Sequence, residues 1–250
     1  MSADADPALL PPSRLPSVLI TGASRGIGAA AARRFAAAGF ALQLLARPSD
    51  GFNQLVAELV AEGHAVEREH LDLGDPGAIA PALNALAERA APPDVLINNA
   101  GMAYTGSLAE MPLHHWQALL QLNITAVFQV CQALLPRMRA HGGAHIINVS
   151  SHAAQQAFPD WGAYCVSKAA LASLSRCLAV EERAHGIRVS TLTLGAVNTP
   201  LWDSETVASS FDRRAMLSPG RAADALLYLA QQPATQVVED LTLMPAAGAL

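Results

Sequence analysis

SVLITGASRGIGAAAARRFAAAG, residues 17–39, is the stretch whose reading decides the fold. Its first five residues are a short aliphatic run suited to a strand buried on both faces, and its second half is an alanine-rich helix pattern. Between them stand Gly22, Gly26 and Gly28 in a GxxxGxG spacing, with Ser24, Arg25 and Ile27 in the same loop. Glycine permits the tight turn and lets the backbone approach a bound group closely. The helix that follows offers unpaired N–H groups and the positive end of its dipole, which together suit a phosphate. Glycine-rich βα turns are common, so the reading rests on the loop's place in the first βα unit.

Working outward, strand-like runs at 17–21, 40–46, 65–72, 94–98, 144–150, 187–194 and 237–244 alternate with helical patterns at 26–38, 51–62, 76–90, 113–139, 162–185 and 221–231. Strict alternation predicts an α/β fold: a Rossmann-type, doubly wound parallel sheet of about seven strands with helices on both faces. No linker or repeat interrupts 17–250, which reads as one domain, while residues 1–16, with four prolines, read as a flexible lead-in. Ligands of such sheets bind beyond the carboxyl ends of the strands, where strand order reverses. The glycine loop, Asn98–Gly101, Ser150 with Ser151, and Leu194–Thr199 all follow strands and fall at that one edge.

The composition is 52% hydrophobic but only 5% aromatic, which suits aliphatic helices packed on a sheet. A net charge of -5 gives no electrostatic reason to expect nucleic acid or an anionic membrane as partner. Three cysteines are too few and too irregular for a disulfide framework or a zinc site. Asp4 and Asp6 stand where a secretory signal would be basic, and no uninterrupted apolar run approaches the ~18 residues of a membrane span. The expectation is a soluble, cytoplasmic protein.

Of the 16 basic residues only Lys168 is a lysine, and it lies four residues after Tyr164 at the start of a helical pattern. Side chains at that spacing share one helix face. With three tyrosines in 250 residues, chance would place the lone lysine there about once in 80 sequences. A phenol of pKa ~10 is a poor acid–base catalyst at neutral pH, and a nearby ammonium favours its phenolate. Arginine's planar fork does not replace that compact charge.

TGASRGIG (21–28), NNAG (98–101), Asn123, Ser151, YCVSK (164–168) and GAVNT (195–199), in this order, resemble the short-chain dehydrogenase/reductases, and the resemblance covers residues 17–250. It implies an oxidoreductase that transfers hydride between a nicotinamide dinucleotide and a small carbonyl or alcohol substrate. Tyr164 would be the acid/base, Lys168 would lower its pKa and hold the nicotinamide ribose, and Ser151 would polarise the carbonyl. Asn123 would hold a water in a proton relay. The resemblance assigns Asn98, Ala100 and Gly101 to the turn beside the cofactor, and Gly195, Val197 and Thr199 to the nicotinamide side. Asp72 matches the acidic residue that meets the adenine ring, and a helix-capping aspartate is an equal alternative. Ser151 is preferred to Ser150 because it precedes Tyr164 by 13 residues. Self-association is implied too, as a homotetramer or homodimer built on the helices 113–139 and 162–185.

Arg47 stands just past the second strand and Arg25 lies in the glycine loop, a pairing that resembles members preferring NADP(H) over NAD(H). Asp50 is expected to cap the next helix. The segment 200–219 reads as a lid over the substrate, after a strand that ends in Leu194 where the family usually has proline. Trp202, Phe158, Trp161 and Met102 line an apolar pocket or fill the core, the sequence favouring neither. Cys165 is expected to pack away from the catalytic face.

Other chemistries fit poorly. The adjacent His114 and His115 would point to different sides of a helix, and His141 and His145 flank a Gly-Gly turn with no acidic partner nearby. Solvated or capping roles suit these histidines better than metal. No GxSxG elbow supports a hydrolase. A non-catalytic dinucleotide-binding protein is the remaining alternative, and such relatives usually lose the tyrosine or the lysine.

Overall fold

Val18, Leu19 and Ile20 are fully buried, and alternation sends Leu19 to one face of the sheet and its two neighbours to the other. They belong to β1 (Ser17–Thr21), the centre of a computed structural model that describes residues 15–208 and 211–248. The further strands are β2 (Ala41–Ala46), β3 (Val66–His70), β4 (Val95–Asn98), β5 (Ala144–Ser151), β6 (Ile187–Leu194) and β7 (Asp240–Leu243). All pairings are parallel, in the order β3-β2-β1-β4-β5-β6-β7. The chain runs outward from β1 to β3 and then returns to lay β4 beside β1. Strand order therefore reverses between β1 and β4, and a crevice opens beyond their carboxyl ends.

One core joins the sheet to α1 (Gly26–Ala37), α2 (Asp50–Ala61) and α7 (Pro219–Ala230), through Phe35, Phe52 and Leu226 among others. The opposite core holds α3 (Pro76–Arg89), α5 (Ala126–Ala140) and α6 (Gly162–Glu182), through Leu83, Val130 and Leu171. The expected lead-in lies mostly outside the described residues.

Several expectations need correction. Ser49, not Asp50, caps α2, its hydroxyl accepting from Phe52 N at 3.2 Å, while Asp50 occupies the first turn. β3 ends at His70, so Asp72 lies beyond it. The helix over 113–139 is present as Leu113–Ala140 but carries a π turn, Gln121–Thr125, between α4 (Leu113–Leu120) and α5. His114 and His115 do not diverge, because their rings lie 4.2 Å apart in the first turn of α4. His145 is buried rather than solvated, and His141 has Asp94 at 3.7 Å.

The stretches Leu113–Ala140 and Gly162–His185 are long and apolar enough to cross a membrane by length and composition, which a search for uninterrupted runs misses. In the fold both lie along the sheet, with Val127 and Met138 of the first and Leu178 of the second in the core.

Candidate active site

The glycine loop is built by close packing. Gly22 and Gly26 take positive φ values of 67° and 57°, where a side chain would strain the backbone. A Cβ on Gly28 would stand 2.2 Å from Gly22 O, so only glycine lets α1 start there. No side chain caps α1 at Arg25, which leaves its N-terminus facing a cavity of about 480 Å³. Ser24, Arg25, Gly26 and Ile27 line one end of this cavity. Arg47 and Asp72 line the same end, and both arginines are exposed at its rim. Asp72 Oδ1 accepts from Gly74 N at 2.9 Å, and the capping of α3 falls to Asp75, which accepts from Gly77 N at 2.9 Å. The capping alternative for Asp72 is thereby removed.

Asn98 does not reach the cavity. It is buried behind β4 and donates Nδ2 to Asn148 Oδ1 at 2.8 Å, and Asn148 in turn donates to Ser175 Oγ at 2.8 Å. Strand alternation puts its neighbour on the useful side. Asn99 donates Nδ2 to Thr21 O at 2.9 Å and Gly22 O at 3.2 Å, locking the glycine loop to the end of β4. The doubled asparagine is the signal in the sequence, but only the strand's phase tells which one serves the loop. Ala100 and Gly101 line the cavity as expected. A Cβ on Gly101 would stand 3.7 Å from Lys168 Nζ, so glycine leaves the floor beside the lysine open.

Ser151, at the end of β5, and Tyr164 and Lys168, on the first turns of α6, meet across that floor. The Ser151 hydroxyl accepts from Ala153 N at 3.2 Å and lies close enough to the Tyr164 phenol to favour its ionised form, whereas Ser150 is buried with its hydroxyl unpartnered among the described residues. Lys168 is buried, donates Nζ to Val149 O at 3.0 Å and stands 5.7 Å from the centroid of the Tyr164 ring. Burial pushes Tyr164 up to about 12, opposed by the Ser151 hydrogen bond, and pushes Lys168 down to about 8. Desolvation sets the direction of the tyrosine's shift in this pocket. Desolvation penalises both ionised forms. At neutral pH both groups hold their protons.

Asn123 sits on the π turn, a distortion frequent at functional sites. Its side chain accepts from Met102 N and donates to Met102 O, both at 2.9 Å, and donates to Ser167 Oγ at 3.0 Å. Both amide hydrogens are thus taken by protein groups. The side chain clamps the loop after β4 to α6, one residue from Lys168. This clamp, and the part Ser167 plays in it, carry no mark in the sequence.

After β6, Gly195, Val197 and Thr199 line the cavity, and Thr199 packs against Gly26, where a Cβ would meet it at 3.3 Å. Leu194 is an ordinary ladder residue, paired with Ser151 and Leu243. Arg213 holds this loop from outside, donating to Asn198 Oδ1 and Asp203 Oδ1 at 2.8 Å and to Thr199 O at 2.9 Å. Nothing in the sequence separates it from the other arginines. In the segment 200–219, Thr206 donates Oγ1 to Ala103 O at 2.7 Å and accepts from Thr105 N at 2.8 Å, which fastens it to the loop after β4. Met102, Phe158, Trp161 and Trp202 all line the cavity, so their alternatives resolve toward the pocket. Cys165 is buried beneath it, within 3.7 Å of Gln156 O.

Residues 16–209 match the short chain dehydrogenase family, and the chain belongs to it. It is 31% identical over 226 residues to the D-threitol dehydrogenase of Mycolicibacterium smegmatis, covering 88% of this chain and 87% of that one. Among solved structures it resembles an alcohol dehydrogenase from the archaeon Thermococcus sibiricus complexed with 5-hydroxy-NADP. The TM-score is 0.85 at 29% identity, over 93% of this chain and 97% of that one. L-sorbose reductase from Gluconobacter frateurii, complexed with NADPH and L-sorbose, gives 0.83 at 28% identity, over 94% and 97% of the two chains. The chain is thus an oxidoreductase acting on alcohol and carbonyl groups.

Proposed function

We propose that this protein interconverts a small carbonyl compound and its alcohol with NADP(H), using Tyr164 as the acid/base. The carrying observation is the convergence of Ser151, Tyr164 and Lys168 on the floor of the cavity that the uncapped α1 N-terminus also faces.

The residues present fit a dinucleotide. The positive-φ glycines and the N–H groups of α1 suit its pyrophosphate. Asp72 stands at the adenine end, and Ala100, Gly101, Gly195, Val197 and Thr199 line the route to Tyr164. Arg25 and Arg47 at the rim favour a 2′-phosphate, and the NADP and NADPH of the two structural relatives support the same choice. When bound, the reduced nicotinamide supplies a hydride to the carbonyl carbon.

The protein handles the oxygen. Tyr164, neutral at pH 7, gives its proton to the oxygen as negative charge develops there. Ser151 donates a hydrogen bond to the same oxygen and so stabilises that charge. Lys168 places a positive charge beside the phenolate that proton transfer leaves, and its ammonium suits the ribose hydroxyls. Asn123 is a positioning residue that keeps α6 and the loop after β4 in register, and a role in a proton relay would fall to its place on the π turn. Segment 200–219, of which 209 and 210 lie outside the described residues, serves as the lid. Exposed Leu113, Phe128, Val166 and Val180 on α4, α5 and α6 support self-association through those helices.

Tyr164→Phe tests the reading. It removes only the proton-transfer oxygen, so cofactor affinity measured by fluorescence should persist while turnover falls roughly 10²-fold or more. Near-normal turnover in the variant would refute the assignment.

A further inference from the structure

The end of the cavity beyond Tyr164 has a chemistry that the reading above leaves open. Starting from the catalytic phenol, Trp161 lies 5.6 Å away ring to ring, Trp202 5.5 Å from Trp161, and Phe211 5.6 Å from Trp202. These contacts are tilted or edge-to-face, the arrangement aromatic rings prefer. Phe158 and Met102 complete the wall. Five of the chain's twelve aromatic residues line this cavity. The charged residues at the rim, Arg25, Arg47 and Asp72, follow β1, β2 and β3, while the aromatic wall follows β5 and β6 on the other side of the crevice.

Most polar groups in this wall already give their hydrogens to the protein. Ser204 donates Oγ to Leu201 O at 2.8 Å, and Thr206 donates Oγ1 to Ala103 O at 2.7 Å. Trp202 donates its Nε1 to Val197 O at 2.8 Å. His152 Nε2 pairs with Gln156 Oε1 at 3.1 Å, while its buried Nδ1 has no partner among the described residues. Among the described residues of this end, only Ser151 and Tyr164 offer hydroxyl groups to a substrate, and both are committed to the reacting oxygen. A hydroxyl brought here would exchange water for a wall made mostly of rings and of polar groups whose hydrogens are already given to the protein.

From this arrangement we infer that the protein is selective for apolar ketones and aldehydes carrying an aryl or bulky hydrocarbon group, and rejects polyhydroxylated substrates. In this it differs from the relatives named for D-threitol and L-sorbose. The inference rests on the carbonyl-reductase reading above. Each buried, unpartnered hydroxyl disfavours binding by roughly 10-fold, and the aromatic group is attracted by the ring contacts it gains.

The test compares kcat/KM for benzylacetone and L-sorbose, which are similar in size, using the full chain with NADPH. Quenching of tryptophan fluorescence by each compound, in the presence of NADP+, gives a reading of binding that needs no turnover. With L-sorbose counted by its small open-chain keto fraction, the expected result is a preference for benzylacetone of roughly 10²-fold or more, with saturable quenching by benzylacetone only. Equal use of the two, or a preference for L-sorbose, overturns the inference while leaving the hydride-transfer reading intact. Saturable benzylacetone binding without turnover of either compound upholds the apolar site and refutes the hydride-transfer reading. Absence of saturable benzylacetone binding overturns the inference whatever the turnover. In a supporting variant, Trp202→Ala should raise KM for benzylacetone about 10-fold with little change in kcat.

Discussion

Replacing Arg47 by aspartate acts on cofactor choice at one exposed side chain, so the fold should be unaffected. Arg25 and Arg47 both stand at the rim of the cavity in contact with water. Each charged hydrogen bond to a 2′-phosphate therefore counts at the low end of its range, about 1.5 kcal/mol, or roughly 10-fold. Two such contacts give the wild-type protein a preference for NADPH over NADH of roughly 10²-fold. The substitution removes one contact and sets a carboxylate against a phosphate of charge near -2. At roughly 6 Å in a water-like dielectric that repulsion is about 1.4 kcal/mol, another factor of about 10. The variant should accordingly use the two cofactors about equally. The assay is kcat/KM for NADPH and for NADH at saturating carbonyl substrate, repeated at high salt, where the repulsive part should shrink. A wild-type protein that uses NADH as well as NADPH, or a variant that keeps the wild-type ratio, would refute the reasoning.

Mild amine modification should reach Lys168, whose burial lowers its pKa to about 8 and raises the neutral, reactive fraction at pH 8. Saturating NADP+ should protect it in peptide mapping, and labelling indifferent to the cofactor would mean that the side chain does not lie against it. His145 predicts acid sensitivity. Ser190 Oγ donates to Val238 O at 2.6 Å, so His145 Nε2, 2.8 Å from that oxygen, must be the donor to it, and the ring is held neutral. Burial, with the nearby Arg188 charge, pushes its pKa from 6.5 down to about 3. A folded-state pKa below the unfolded one means stability that is complete above pH 6.5 and is lost as pH falls toward 3. At pH 4.5 the loss is about 3 kcal/mol, measurable by urea unfolding against His145→Gln, and identical pH dependence in the two proteins would contradict it.

Much of this protein follows from local rules. The glycine loop, the alternation of strand and helix patterns, and the pairing of Tyr164 with the lone Lys168 depend on spacing along the chain, which a sequence displays directly. So do the parallel sheet and the edge where the site must lie, because a crossover topology leaves few other arrangements. Tertiary packing decided the rest. Asn98 and Asn99 are identical in chemistry, and only the phase of β4 sends one into the buried network and the other to the glycine loop. The π turn at Asn123 and the clamp it forms arise where α4 and α5 must meet α6, a condition no helix propensity records. The upward push on the pKa of Tyr164 has no mark in the sequence, because desolvation depends on what surrounds the phenol in three dimensions, whereas the spacing to Lys168 reports only that a charge is near. The aromatic wall, too, comes from segments after β5 and after β6. Each is unremarkable alone, and they make a pocket only when parallel strands bring their carboxyl ends to one edge.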